Sequence, residues 1–413
     1  MAVLAINGGT PVREDPWPDW PPYTEREKEM LLMVLESRNW GGYPSPNFQA
    51  GKFAKEFAEY SGAKYGICAA NGTVTLEIAL RALGIKAGDE VIVPAITFAA
   101  TAAAAVYLNA VPVFADIRRD NFTIDTKHVE KLVTDKTKVI IPVHLGSSIA
   151  DMDEIMRIAD KHNLFVVEDC AHAHGAKWRG KGVGSIGHLG SFSFQSSKLM
   201  TSGEGGAILT SDDMLEQKCQ SLVNCGRKEF GYDEFDGRLF GWNYRISEFH
   251  AAVLRAQLEK LDERTKLRAG NAAYLTEQLR KIEGIGLVPY DERTTQKAHY
   301  QYIFTYDKRA FAGVHRDRFL EAAMAEGLQL DGDLYIPVYG NEIFPVRASE
   351  YPMIRPRYGE EINRNSANTP VGWEFALETG VWMHYSKLMG TKKDIDDIVR
   401  IIKKIQDNAK ELA

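Results

Sequence analysis

Cysteine is scarce: the 413 residues contain only Cys68, Cys170, Cys219 and Cys225. Four scattered thiols exclude a disulfide framework and a zinc motif, and they fit a reducing compartment. A basic excess is also missing. Lys and Arg total 50 against 56 Asp and Glu, a formal net charge of -6, which argues against a phosphate-tracking nucleic-acid surface. No unbroken apolar run reaches the roughly 20 residues a membrane helix needs. The richest stretch, Ile96 to Ala115, is interrupted by Thr97, Thr101, Asn109 and Pro112 and reads as a buried helix followed by a strand. The opening MAVLAINGGTPVRED lacks the basic and apolar regions of a signal peptide. Repeats and low-complexity tracts are absent. The expectation is a soluble cytoplasmic protein with no membrane and no nucleic-acid partner.

What is present is alternation. Between Tyr65 and Ser211, short apolar runs (YGICAA, EVIVPA, VPVFADI, KVIIPVHL, LFVVED, SFSF, GGAILT) are separated by helical patterns such as TVTLEIALRALG and DMDEIMRIADKHN. Several runs are almost continuous Val, Ile and Leu, as expected of strands covered on both faces. The pattern predicts an α/β fold with a mainly parallel sheet, and right-handed crossovers place the functional site along one edge. A long Pro-free amphipathic stretch from about Ser247 to Glu283 predicts helices leading out of that sheet. Beyond it lie a strand-like HYQYIFTY, a helix near Arg318 to Glu326, a Pro- and Tyr-rich loop and a terminal amphipathic helix. Two domains follow: a large one, 1–264, with an N-terminal arm, and a smaller α+β one, 265–413.

The segment GSFSFQSSKLMTSGEGGAIL sets Lys198 in a loop of small residues between two strands. Alone, such a lysine reads as a solvated surface residue. Asp169 changes that balance, because it ends the apolar run LFVVED and its carboxylate emerges where sheet edges bind ligands. A lysine that can carry an aldehyde and an acid that can hold a pyridine nitrogen protonated are the two groups that pyridoxal 5'-phosphate (PLP) chemistry requires. The 29 positions from Asp169 to Lys198 leave room for a connection and a strand.

The runs NGTVTLEIALRALGI, GDEVIVPAITFAATAAA, PVFADI, IIPVHL, ADMDEI, VEDCAHAHGA, GSFSFQSSKLMTSGEGGA and NYRISEFHAAVLRAQL occur in this order. Together they resemble the DegT/DnrJ/EryC1/StrS family of PLP-dependent aminotransferases, from about Trp17 to the C-terminus and most densely between residues 65 and 260. The resemblance implies the type I, aspartate-aminotransferase-like fold. The segments CGR, DCAHAHGAKWRGKGVG and VWMHYSKLMG are similar to a cyclitol branch that includes glutamine:scyllo-inosose aminotransferases and 3-amino-5-hydroxybenzoate synthase.

By position, the resemblance implies that Lys198 carries the cofactor and Asp169 partners its ring nitrogen. Gly72 and Thr73 match the phosphate cradle at a helix N-terminus, where free N–H groups face an anion, and Ser193 matches a hydroxyl on the same phosphate. Phe98 matches the aromatic that stacks on the ring, with a core aromatic as the alternative. His172 stands where many relatives have Gln, and an imidazole can still reach the ring hydroxyl. Gly146 and Ser147, in HLGSS, are a second departure, in the pocket wall. Asn243 matches a residue that reaches the phosphate from a neighbouring subunit, implying a homodimer with shared sites. The alternative is a helix cap, for which Ser247 is better placed. Substrate-facing candidates are Trp40, Tyr43, His144 and His384. For His144 a hydrogen-bonded core residue is the alternative, and for Trp40 and Tyr43 ordinary loop packing. The other histidines do not group in metal-ligand spacing, so no catalytic metal is expected.

The implied activity moves an amino group from an amino acid, glutamine or glutamate, to a keto sugar or ketocyclitol. A PLP-dependent dehydratase, an aromatising aminobenzoate synthase and a non-catalytic PLP-binding regulator remain as alternatives. Lys198 favours transamination, and no basic helix-turn-helix precedes Tyr65 to support a regulator.

Overall fold

The structure is a computed structural model and describes residues 3–412. The strands, in chain order, begin with β1 (Tyr65–Ala69), β2 (Glu90–Pro94), β3 (Val111–Ala115), β4 (Thr137–Ile140) and β5 (Phe165–Asp169). A small hairpin, β6 (Lys177–Trp178) and β7 (Lys181–Gly182), precedes β8 (Leu189–Ser193) and β9 (Gly206–Thr210). The large sheet has seven strands in the order β1-β9-β8-β5-β4-β2-β3. Only β9 opposes its neighbours, so the other six run the same way and their C-terminal ends share one edge.

Both faces of this sheet are covered. In β2, Ile92 joins one buried cluster while Val91 and Val93 join the other. The first cluster includes Phe53 and Phe57 of the helix Phe48–Ser61 and Ile155 and Ile158 of the helix Met152–His162. The second includes Leu76 of the helix Gly72–Ala82 and Ala102 of the helix Ala100–Tyr107. Two covered faces are the physical reason for the near-continuous apolar runs. The helix Met152–His162 shows the local logic: Met152, Ile155, Ile158 and Ala159 are its buried stripe, and the Asp151 side chain caps it by accepting from the Glu154 N–H at 3.2 Å.

The expected long helix after Ser247 is two, Glu248–Glu259 and Leu261–Leu279, with the Ser247 side chain capping the first. The second passes through residues 264 and 265. Beyond it, β10 (Ile285–Leu287), β12 (Gln301–Tyr306) and β13 (Gly380–His384) form an antiparallel sheet, while β11 (Thr294–Gln296) joins β6 and β7. The helices Arg316–Ala325 and Lys392–Asp407 cover the antiparallel sheet in a third cluster, which also takes in Leu4. The segment holding Val338, Phe344, Val346 and Ile354 packs back onto the large sheet. Among the described residues, no helix is long and apolar enough to cross a membrane.

Candidate active site

The shared edge opens into a cavity of about 1130 Å³. Asp169, the last residue of β5, lines it and is only 6% exposed. Its Oδ2 accepts from the Thr101 hydroxyl at 2.8 Å and its Oδ1 from the Ala171 N–H at 3.2 Å. Thr97, in the bend before the helix Ala100–Tyr107, and Thr101, in its first turn, share a further hydroxyl contact of 2.9 Å. Burial raises the Asp169 carboxyl above its ordinary range, and these hydrogen bonds and the Lys198 charge offset part of that rise. Among the described residues, the carboxylate therefore lacks a cationic partner at ion-pair distance.

Lys198 hangs from the loop between β8 and β9. Its Nζ lies 3.4 Å from the Tyr300 hydroxyl and 4.5 Å from the centre of that ring. The loop is gripped at successive carbonyls: the Trp20 indole donates to Ser196 O at 3.0 Å and the Tyr385 hydroxyl to Ser197 O at 2.8 Å. Asp169 and Lys198 thus face one cavity, the first from the end of β5 and the second from the loop between β8 and β9.

At the far end, Gly72 and Thr73 begin the helix Gly72–Ala82, whose first N–H groups have no acceptor within it. The Asn71 side chain caps Val74 N–H at 3.0 Å and leaves the two preceding amides to the cavity. Ser193 ends β8 against this turn so closely that a Cβ on Gly72 would collide with the Ser193 side chain. His172, 4% exposed, stacks on Tyr300 with ring centres 3.9 Å apart, and its Nε2 is 3.2 Å from the Tyr335 hydroxyl. Phe98 stands at the mouth, 51% exposed, 6.5 Å from the Tyr335 ring centre.

The structure does not bring the remaining candidates into this cavity. His144 is buried beneath it: its Nδ1 accepts from the Ala150 N–H at 3.2 Å and its Nε2 lies 3.1 Å from Glu168 Oε2. Trp40 and Tyr43 are exposed, the first donating to Leu35 O at 3.2 Å and the second under the Arg227 guanidinium at 5.6 Å. Asn243 is exposed too, bridging Asn224 through its backbone while its neighbours Trp242 and Tyr244 line the cavity. His384 turns its Nδ1 to Ser386 Oγ at 2.8 Å, and burial, helped by the Lys387 charge, lowers it to about 4. Sequence reasoning missed Thr97, Thr101 and Tyr335, and it placed Tyr300 only within the strand-like HYQYIFTY, whereas the strand begins at Gln301. The two threonines had a signal, polar residues four positions apart just after an apolar strand. Tyr335, in a loop without periodicity, had none.

His144, Glu168 and Cys170 are the one group of His, Cys, Asp and Glu among the described residues whose ligand atoms lie within 4.8 Å of one another. Glu168 already accepts from Gly184, Ile186 and Gly187 N–H groups at 2.7 to 2.8 Å as well as from His144. Four donors on one carboxylate make this a hydrogen-bonded core network, with no lone pair directed at an ion.

The pattern of the DegT/DnrJ/EryC1/StrS aminotransferase family matches residues 22–401. The chain belongs to that family. A relative in Micromonospora echinospora, provisionally named an L-glutamine:3-amino-2,3-dideoxy-scyllo-inosose aminotransferase, is 47% identical over 98% of this chain and 97% of its own. The L-glutamine:2-deoxy-scyllo-inosose aminotransferase of Streptomyces fradiae is 36% identical over the full length of both chains. Among solved structures, 3-amino-5-hydroxybenzoic acid (AHBA) synthase superposes with a TM-score of 0.82 at 31% identity, covering 95% of this chain and 99% of its own. The fold is accordingly that of the PLP-dependent aminotransferases, and this DegT/DnrJ/EryC1/StrS member is a PLP-dependent aminotransferase. Its residues fit the cofactor: an amine on a held loop, a buried carboxylate short of a cation, and a helix N-terminus kept open by a glycine that no Cβ can replace.

Proposed function

We propose that this aminotransferase moves the amino group of L-glutamine to the ring ketone of a cyclitol, with an aminodeoxy-inosose as the acceptor class. The observation that carries this reading is the 47% identity, over nearly the whole of both chains, to relatives bearing that name.

Bound PLP supplies a protonated pyridine ring that draws electrons from the carbon next to the amino nitrogen. In the proposed mechanism Asp169 holds the proton on the pyridine nitrogen. Its burial makes an unpartnered carboxylate costly, so pairing with a cationic nitrogen is strongly favoured. Lys198 carries the cofactor at rest and, once released, moves a proton on and off the α-carbon of the donor and then the reacting carbon of the acceptor. Gly72, Thr73 and Ser193 hold the phosphate, Phe98 covers the ring, and His172 orients the ring hydroxyl side. Residues 1–264 form the cofactor-binding unit and 265–413 the unit that walls the cavity with Tyr300 and Tyr335. Trp40, Tyr43 and Asn243, exposed in one chain, complete the site of a second chain in a cytoplasmic homodimer without nucleic-acid or membrane partners. His384, turned to Ser386 in one chain, is assigned to the acceptor side by family position alone, and His144 supports the wall from beneath.

The test crosses L-glutamine and L-glutamate with an aminodeoxy-inosose, 2-deoxy-scyllo-inosose and a nucleotide-linked keto sugar, with mass spectrometry of products. Glutamine-dependent amination of a cyclitol ketone is expected. Turnover of the nucleotide sugar alone, an aromatic product, or PLP bound without any turnover would overturn the reading. Lys198→Ala is expected to lose the borohydride-fixed cofactor and at least ~10³ of the rate. For the shared site, Lys198→Ala and Asn243→Ala chains are mixed under subunit exchange. Recovery of activity is expected, and none despite exchange would remove Asn243 from the site.

A further inference from the structure

The second departure in the pocket wall, Gly146, starts a directed chain of hydrogen bonds. Gly146 has φ of +61°, and a Cβ there would collide with the Ile303 side chain, so the position takes glycine on two grounds. Its N–H donates to His172 Nδ1 at 3.5 Å. Burial foremost, and then the charges of Lys198 and His174, hold the His172 imidazole well below its ordinary range, so the ring is neutral. A neutral ring whose Nδ1 accepts carries its proton on Nε2. That proton points at the Tyr335 oxygen, 3.2 Å away.

A phenol that accepts from His172 directs its own O–H elsewhere. Tyr335 lines the same cavity as Lys198, Asp169 and Phe98, and among the described residues His172 is the hydrogen-bond partner its hydroxyl has. Its ring is held nearly parallel to His172, 9° between planes, and edge-on to Trp382 at 5.6 Å. Burial, followed by Tyr300 and Asp169, raises the phenol well above its ordinary range, so it keeps its proton at working pH. A protonated, oriented donor with no acceptor among the described residues therefore faces the cavity shared with Lys198 and Asp169.

We propose that the Tyr335 hydroxyl donates a hydrogen bond to the oxygen substituent of the PLP ring beside the aldehyde-bearing carbon, with His172 acting through Tyr335 as a positioning residue. This assignment rests on the PLP-aminotransferase reading. A donor at that oxygen favours its anionic form and so lowers the pH at which the lysine-bound chromophore loses its proton.

The test is a spectrophotometric pH titration of the visible cofactor band, together with PLP binding to the apoprotein, in the full-length chain. Tyr335→Phe keeps the ring packing and removes only the hydroxyl. It is expected to move the midpoint up by ~1 unit and weaken PLP binding ~10-fold, the size of one hydrogen bond to a charged group. His172→Gln is expected to move the midpoint the same way by less, and the double variant no further than Tyr335→Phe alone. An unchanged midpoint in Tyr335→Phe overturns the proposal. If His172→Gln shifts it while Tyr335→Phe does not, the imidazole itself touches the ring. A wild-type chain that binds no PLP would instead defeat the aminotransferase reading, which separates the two failures.

Discussion

Glu168 and Asp169 are neighbours on β5, yet they live in opposite worlds. Strand alternation sends the first beneath the sheet edge and the second into the cavity. Glu168 is fully buried and accepts from four donors, three of them backbone amides. Asp169 is almost as buried but has two donors, a threonine hydroxyl and one amide. A carboxylate with four donors is complete within the chain and serves the fold. One with two keeps lone pairs available to a ligand. The number of donors, more than burial, separates the two acids.

Replacing each acid by its amide sharpens that contrast. Asp169→Asn is expected to bind PLP and to lose ~10² or more in kcat, because an amide cannot hold the pyridine proton by charge. Its unfolding free energy should change little. Single-turnover kinetics beside urea unfolding would check both halves, and an active Asp169→Asn would break the comparison. Glu168→Gln should do the reverse. The new amide N–H₂ meets groups that are themselves donors, so a loss of ~3 kcal/mol in stability is expected while the cofactor spectrum keeps its shape. A urea midpoint equal to wild type would show the four donors to be dispensable.

The effect smallest at any single pH step concerns His174, fully buried, whose Nε2 lies 2.8 Å from Ser193 O. Burial, then the Lys198 charge, lowers it from 6.5 to about 3. The unfolded chain therefore binds a proton that the folded chain refuses between those two values. Stability from this residue is complete above pH 6.5 and is lost as the pH falls toward 3, by ~1.4 kcal/mol per pH unit. Urea unfolding at steps through that window should show a slope that His174→Asn makes shallower by that amount. An unaltered slope would mean the imidazole is charged in the fold.

The contrast on β5 was partly legible in the sequence. The run LFVVED shows a strand ending in two acids, and the family motifs single out Asp169 and Lys198. The sheet, its helices and the Ser247 cap follow from apolar runs and capping residues, because local chemistry sets them. The helix-plus-strand reading of Ile96 to Ala115 matches the helix Ala100–Tyr107 and β3 for the same reason. Donor counts are not local. The amides that fill Glu168 come from Gly184 to Gly187, and nothing in those residues marks them as its partners. Likewise Tyr300 and Tyr335 reach His172 only because the antiparallel sheet folds over the edge. His144, readable as a pocket or a core residue, is fixed by Glu168 at a distance of 24 positions.

The grip on the Lys198 loop has a mechanical meaning. An indole from the N-terminal arm and a phenol from beside β13 hold adjacent carbonyls, and the two rings meet edge to face at 4.7 Å. The arm and the second sheet thus form a vice with the loop in its jaws. The lysine backbone becomes a fixed pivot, and the amine reaches its stations by turning about its own side-chain bonds. The arc it sweeps is set by the length of its methylene arm, so in the proposed mechanism the accuracy of proton delivery depends on contacts made by the arm and the second sheet.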